Sequence, residues 1–187
     1  MRMLPAEVKR HRFDVEEYHR MLEAGVLSED DRVELIGGEI VDMTPIGWRH
    51  VECVNRLNML LAAYAAGKGY MVSVQNPLRL AGDAEPQPDL ALIKERPRRG
   101  LPTPEDVVLV VEVAETSLAY DRDVKLPLYS RAGIPEVWIV DLRGRKVEVY
   151  ADPASGGYRV FRTAGPGEQL SSETVEGLSL SVDEVLR

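Results

Sequence analysis

Hydrophobic residues recur along the chain at two spacings, which predict where helices and strands form. Apolar residues at every third or fourth position indicate helices. The longest such stretch begins at Trp48 and ends before Gly67. Near the N-terminus, Asp14 and Glu17 form a capping box, which is typical of a helix start. The predicted helices are Phe13–Ala24, Trp48–Ala66, Asp121–Ala132 with Pro127 inside it, and a short one at Ser181–Arg187.

Short runs rich in β-branched residues predict strands. Two alternating runs, Arg32–Ile36 and Glu39–Met43, flank a Gly-Gly pair, so we expect a β-hairpin. The run Val107–Ala114 is nearly continuous in β-branched residues and predicts a central strand buried on both faces. Tyr70–Leu80 contains two strand-like runs split by a proline. Further strands are predicted at Pro88–Ile93, Glu136–Asp141, Lys146–Ala151 and Tyr158–Arg162.

This order of elements predicts an α/β chain with an α+β-like mixed sheet flanked by helices. The length of 187 residues and the 44% hydrophobic content fit one domain over residues 1–187. No apolar run reaches the roughly 18 residues of a membrane span, and the N-terminal segment lacks the apolar stretch of a signal peptide. We therefore expect a cytoplasmic protein. Cys53, the single cysteine, excludes an internal disulfide and a cysteine-rich zinc site.

The formal net charge of −8 disfavours a general nucleic-acid coat protein, which is normally basic. It is compatible with an enzyme that contacts DNA through one local patch. The densest basic cluster lies in the predicted loop after Pro88–Ile93 and is equally well explained as a phosphate-binding loop or as an ordinary solvated loop. Its basic residues are Lys94, Arg96, Arg98 and Arg99.

Two acidic residues stand next to apolar strands. Glu112 lies inside the Val107–Ala114 run, where a buried carboxylate needs a metal, a basic partner or a raised pKa; alternatively the strand ends earlier and Glu112 is solvated. Asp89 opens another strand and by itself is typical of a turn. Together, two strands that each carry one acid can converge on a cation, and oxygen ligands suit Mg²⁺ or Mn²⁺.

A lysine near such a site would help to activate a water and to neutralise developing negative charge. Lys125 is available in the helix that follows Glu112. Its spacing from Asp121 equally indicates a surface ion pair on that helix, and the residues alone favour this second interpretation. His50, at the head of the long helix, either stabilises the fold or contacts substrate; a lone histidine is more often structural.

Several segments, in this order, resemble the Uma family of putative restriction endonucleases within the PD-(D/E)XK nuclease superfamily. The resemblance covers about two thirds of the chain, from Phe13 to Asp141. The matching segments are Arg32–Ile40 (RVELIGGEI), His50, Gln87–Leu90 (QPDL), Glu112–Ser117 (EVAETS), Asp121–Tyr129 (DRDVKLPLY) and Gly133–Asp141 (GIPEVWIVD).

The resemblance implies a restriction-endonuclease-like fold and hydrolysis of DNA phosphodiester bonds with a metal-activated water. Asp89 and Glu112 would bind Mg²⁺ or Mn²⁺, with the carbonyl of Val113 facing the metal. Glu34 would complete the catalytic set and Lys125 would be the catalytic lysine. A homodimer is implied as well.

One position departs from the superfamily pattern, because Ala114 stands where the lysine is usually found, two residues after the acid. The departure motivates a second hypothesis, a catalytically inactive binding or assembly module with the same fold. A third hypothesis keeps the chemistry but changes the substrate to RNA or a small phosphodiester. No base-reading motif identifies a target sequence.

Overall fold

The computed structural model describes residues 9–28, 30–80, 82–95 and 100–187. Its centre is a six-stranded sheet in the order β3-β4-β5-β6-β7-β8, in which only β5 and β6 run parallel. The strands are β1 Val33–Ile36, β2 Glu39–Asp42, β3 Tyr70–Val74, β4 Leu90–Lys94, β5 Val107–Ala114, β6 Glu136–Asp141, β7 Lys146–Ala154, β8 Gly157–Ala164, β9 Gln169–Ser171 and β10 Ser179–Ser181. The helices are α1 Val15–Glu23, α2 Trp48–Ala65, α3 Leu118–Tyr120, α4 Leu126–Ala132 and α5 Val182–Val185.

Strand β5 has the predicted bounds and is buried on both faces, as expected from its composition. Because side chains alternate across a strand, Leu109, Val111 and Val113 join the core under α2. Val110 and Ala114 join the core under α4. The same alternation turns Glu112, which lies between Val111 and Val113, toward α4. The predicted mixed sheet flanked by helices is confirmed.

The connection from β5 to β6 is helical from Leu118 to Ala132, but a π-helical turn at Asp121–Lys125 interrupts it. The backbone N–H of Leu126 donates to the carbonyl of Asp121, five residues back. Pro127 follows at once, and a proline can neither donate a backbone hydrogen bond nor pack against the carbonyl four residues earlier. The predicted single helix Asp121–Ala132 therefore starts earlier and contains an irregular turn, of a kind frequent at functional sites.

The hairpin β1–β2 packs on α1 and on the turn that precedes β4. The backbone of Leu35 pairs with Glu85, and Gly38 donates its N–H to the Asp83 carbonyl at 2.8 Å. The predicted capping box of α1 is present, with Asp14 accepting from the Glu17 N–H. These contacts place Glu34, which is buried, above one end of the central sheet.

Two further parts of the prediction need correction. The second run within Tyr70–Leu80 is not a strand; Leu78 and Leu80 instead bond to the backbone of Pro86 and Ala84. Strands β9 and β10 were not predicted, because three-residue runs carry almost no periodicity. Among the described residues, no helix is long and apolar enough to cross a membrane.

Ion pairs with the buried carboxylate of Glu148 anchor the π-helical turn to the sheet. Arg122 contacts both carboxylate oxygens of Glu148, with Nε 2.8 Å from Oε2, while Lys146 and Tyr150 also donate to this carboxylate. Burial alone raises the pKa of Glu148, but the bonds from Arg122, Lys146 and Tyr150 outweigh it and hold the pKa below its ordinary value. The turn that carries Lys125 is thereby fixed to β7.

Replacing Glu148 by glutamine is expected to lower the free energy of unfolding at neutral pH by about 1–3 kcal/mol. Since the pKa of Glu148 is lower in the folded state, its contribution is present above the unfolded pKa and is lost as pH falls below about 4.5. The unfolding free energies of Glu148→Gln and wild type, measured with urea, should therefore become equal in acid. The matched control is Asp152→Asn, whose exposed pair with Arg159 should contribute little. A difference that persists in acid would contradict this assignment.

Candidate active site

A cavity of about 450 Å³ opens where the central sheet, the β1–β2 hairpin, the head of α2 and the π-helical turn meet. Five residues that were predicted from the sequence as site residues line it. They are Glu34, His50, Asp89, Glu112 and Lys125. The cavity has the size of a small-molecule site and admits roughly one nucleotide. The structure thus brings these residues together, while their catalytic roles stay predictions.

Lys125 lies between two acidic residues at the base of the cavity. Its Nζ is 3.2 Å from Glu34 Oε2 and 3.3 Å from Glu112 Oε1, and only 6% of the residue is exposed. The interpretation of Lys125 as a surface residue paired with Asp121 is therefore wrong. The interpretation of Glu112 as a solvated residue at a strand end is wrong too, because Glu112 is 3% exposed.

The single ammonium group of Lys125 is the nearby counter-charge for two buried carboxylates, those of Glu34 and Glu112. Burial alone lowers the pKa of Lys125, but Glu112 and Glu34 outweigh it and hold the pKa above its ordinary value. For Glu112, burial raises the pKa to about 8, and the nearby Lys125 only partly opposes this. One positive charge cannot balance both acids, so the cavity attracts a further proton or cation.

Asp89 is brought level with Glu112 by the register of β4 and β5, in which Leu90 pairs with Val111. Its Oδ2 accepts a hydrogen bond of 2.8 Å from the Val113 N–H. Its Oδ1 lies 2.9 Å from Nε2 of His50. The alternative reading of Asp89 as a simple turn residue does not account for these contacts across the sheet.

His50 is buried at the head of α2, and its Nδ1 donates to the Val113 carbonyl at 3.0 Å. Burial by itself lowers the pKa of His50, but the Asp89 carboxylate and the Val113 carbonyl outweigh it and raise the pKa. The carbonyl that the family resemblance assigns to the metal is thus occupied by a histidine in this structure.

Three residues at the site were not identified from the sequence. Tyr129 is fully buried, and its hydroxyl donates to Glu112 Oε1 at 2.6 Å. Tyr120 donates to Glu34 Oε1 at 3.2 Å. Burial raises the pKa of Asp121 to about 6, and Ser117 donates to its carboxylate at 2.7 Å. The only sequence signal that could have identified these three residues is their position in the segment that carries Lys125.

The donor set fits a hard divalent cation in its chemistry. Carboxylate oxygens dominate the cavity, and His50 Nε2 is buried without a hydrogen-bond partner. Among the described residues, however, no three His, Cys, Asp or Glu side chains are already arranged around one point. Mg²⁺ and Mn²⁺ usually retain several waters, so two or three protein ligands are enough.

Lys94, the first residue of the predicted basic loop, does not line this cavity. Lys94 is at the opposite end of β4 from Asp89 and donates to the Glu105 carbonyl at 2.8 Å. Arg96, Arg98 and Arg99 lie outside the described residues. A role of these four residues in binding a substrate stays a prediction.

Comparison with known proteins agrees with the resemblance inferred from the motifs. The model of the Uma2 family, described as "Putative restriction endonuclease", matches residues 15–183. Among solved structures, a "putative nuclease belonging to DUF820" from Anabaena variabilis is similar, with a TM-score of 0.71 and 14% sequence identity. The alignment covers 93% of this chain and 97% of that chain, and at this identity it shows a common fold. A search of curated proteins found no match.

Proposed function

Since the chain belongs to the Uma2 family of putative restriction endonucleases, we propose that it is a metal-dependent DNA endonuclease that hydrolyses phosphodiester bonds with a metal-activated water. In this proposal, Asp89 and Glu112 hold Mg²⁺ or Mn²⁺, and Lys125 and Glu34 complete the catalytic set. The observation that carries the proposal is the charge imbalance of the cavity. Two buried carboxylates share one ammonium group, and Asp89 stands beside them.

A divalent cation bound there would neutralise charge on a phosphoryl oxygen and lower the pKa of a water molecule. The protein groups supply orientation. Lys125 presents a fixed positive charge toward the cavity, where it can stabilise negative charge that develops on the phosphoryl group. Glu34 positions Lys125, and Tyr129 fixes Glu112 through its 2.6 Å hydrogen bond. A lysine on the helix after β5 thus replaces the one missing at Ala114.

The family and the predicted basic residues support a polymer substrate. The cavity itself is acidic, so a polyanion needs the cation before it can approach closely. Contacts to the phosphate backbone would then come from additional basic residues, with Lys94, Arg96, Arg98 and Arg99 as candidates. We also propose a cytoplasmic homodimer, because two sites suit cleavage of two strands. A mass of 20.9 kDa measured by light scattering, which is the mass of the monomer, would exclude the homodimer.

The proposal is tested by incubating the purified protein with supercoiled plasmid in Mg²⁺, in Mn²⁺ and with a chelator. We expect nicking that requires the metal and that weakens as salt increases, since phosphate contacts release counterions. Single-stranded DNA and RNA serve as parallel substrates. Cleavage of RNA alone would move the activity to RNA. A protein inert on all three would reject the endonuclease proposal.

The nucleotide-sized cavity favours one second candidate, hydrolysis of a small phosphodiester. The same groups would act on it, so only the substrate separates the two proposals. Bis(p-nitrophenyl) phosphate is a suitable probe. Turnover of this compound with Mn²⁺, combined with no cleavage of any polymer, would favour the second candidate over the endonuclease.

A further inference from the structure

The buried imidazole of His50 has one nitrogen that the fold does not use. A carbonyl oxygen only accepts hydrogen bonds, so Nδ1, at 3.0 Å from the Val113 carbonyl, carries a proton. Nε2 faces the cavity, where Asp89 Oδ1 lies 2.9 Å away. It has no hydrogen-bond partner in the described part of the chain, and the carboxylate is close enough for an ion pair with a protonated ring. The residue is only 8% exposed.

Such an arrangement is unfavourable unless a positive charge lies beside both atoms. An imidazole lone pair and a carboxylate oxygen repel each other, and a buried polar atom without a partner costs free energy. A proton on Nε2 removes both costs in the metal-free protein, and a bound cation can take the place of that proton. Two neighbouring ligands of one octahedral ion with bonds of about 2.1 Å are separated by about 3 Å, and the observed 2.9 Å agrees with this value.

The Val113 carbonyl supplies a further argument. A histidine that binds a metal almost always donates its other ring N–H to a carboxylate or a backbone carbonyl, which fixes the tautomer and the ring orientation. His50 has this arrangement before any ion is present. The carbonyl therefore orients the imidazole, and the imidazole takes the place beside Asp89.

We propose that His50 Nε2 and Asp89 Oδ1 bind the same divalent cation, and that this cation is a transition metal such as Mn²⁺ in preference to Mg²⁺. The inference rests on the proposed function, since it names the metal of that site. Oxygen ligands suit both ions, whereas an imidazole nitrogen is accepted by transition-metal dications and poorly by Mg²⁺. A site of Asp89, Glu112 and Lys125 alone would not discriminate in this way.

The direct test is pulsed electron paramagnetic resonance of Mn²⁺ bound to the full-length protein. Spin-echo modulation should contain the nitrogen coupling of a bound imidazole. The chain has three histidines, so variants assign the signal. His50→Gln should lose the coupling, whereas His19→Gln, which alters a half-buried histidine paired with Glu85, should keep it. Calorimetry should give Mn²⁺ binding at least about tenfold tighter than Mg²⁺ binding in wild type.

Removing the imidazole should weaken Mn²⁺ binding by about 10–100-fold and change Mg²⁺ binding much less. Thermal melting of metal-free His50→Gln verifies that the variant folds. The nitrogen coupling in the wild-type spectrum tests the inference even if the variant does not fold. Mn²⁺ that binds without a nitrogen coupling, or equal affinity for the two ions, would overturn the inference. Absence of Mn²⁺ binding would overturn it as well.

Plasmid nicking separates this inference from the proposed function. Metal-dependent nicking without a nitrogen coupling would leave the endonuclease in place and remove His50 from the metal site. A nitrogen coupling that His50→Gln abolishes, in a protein that cleaves no nucleic acid, would establish the imidazole ligand and reject the endonuclease.

Discussion

Replacing Glu112 by glutamine is expected to reduce metal-dependent plasmid nicking by at least about a thousandfold while the protein stays folded. Losing one oxygen ligand of the cation removes about 4 kcal/mol of transition-state stabilisation, which corresponds to that factor. The fold should tolerate the change because glutamine keeps the shape of the side chain, and burial already raises the pKa of Glu112 and so disfavours its charged form. The amide oxygen can still accept from Tyr129.

The measurement is the single-turnover nicking rate at saturating Mn²⁺, together with the melting temperature of each protein. Asp123→Asn is the matched control, since it removes the same charge from an exposed position on the π-helical turn. Its nicking rate should stay within about twofold of wild type. If Glu112→Gln nicks within about tenfold of wild type, Glu112 is a structural acid and the metal assignment falls.

Replacing Lys125 by methionine is expected to cost about 3–5 kcal/mol of unfolding free energy at alkaline pH, where Glu112 is ionised. The ammonium group is buried between two carboxylates at 3.2 and 3.3 Å, and its loss leaves both acids without a counter-charge. As pH falls below about 8, Glu112 takes up a proton, so the difference from wild type should narrow. Nicking should fall by at least about a hundredfold.

Urea unfolding measures this effect, and a double-mutant cycle identifies its cause. Adding Glu112→Gln to Lys125→Met removes one of the two uncompensated acids, so the double variant should recover at least about 1 kcal/mol relative to additivity. The control is Lys146→Met, because Lys146 also pairs with a buried carboxylate but is itself partly exposed. It should cost at most about 1 kcal/mol. Strict additivity would mean that Lys125 does not balance Glu112.

The effect of Mn²⁺ on thermal stability also separates the hypotheses about function. A fold that keeps an uncompensated charge pays for it in stability, and such strain is expected where a cation or substrate supplies the missing charge. A non-catalytic module gains nothing from this arrangement. If Mn²⁺ raises the melting temperature of the wild-type protein more than that of Glu112→Gln, the imbalance serves metal binding.

Several features of this protein are determined by local sequence. The β-branched run of β5, the Gly-Gly pair of the hairpin and the capping box of α1 each carry their own signal, because backbone preference and side-chain period act over a few residues. Glu112 was recognisable for the same reason, since a carboxylate within an apolar strand must be compensated. The family resemblance added Glu34, and it favoured the catalytic interpretation of Asp89 and Lys125, which the residues alone had left open.

Other features were decided only by tertiary packing. His50 and Val113 are 63 positions apart, and no spacing rule connects them. Strands β9 and β10 are too short to be recognised, and their connection is held by the buried carboxylate of Glu136, which accepts from Ser172 and from the backbone of Thr174. These bonds form only after the sheet has positioned Glu136.

The position of Lys125 is the clearest case. A regular helix with Lys125 four residues after Asp121 indicates a surface ion pair, and that was the preferred interpretation of the residues alone. Pro127 is accommodated by a π-helical turn, Arg122 fixes that turn to Glu148, and both Asp121 and Lys125 are buried. Local sequence determined that an acid lies in a buried strand, whereas long-range packing decided which cation balances it, because partner choice depends on contacts between distant segments.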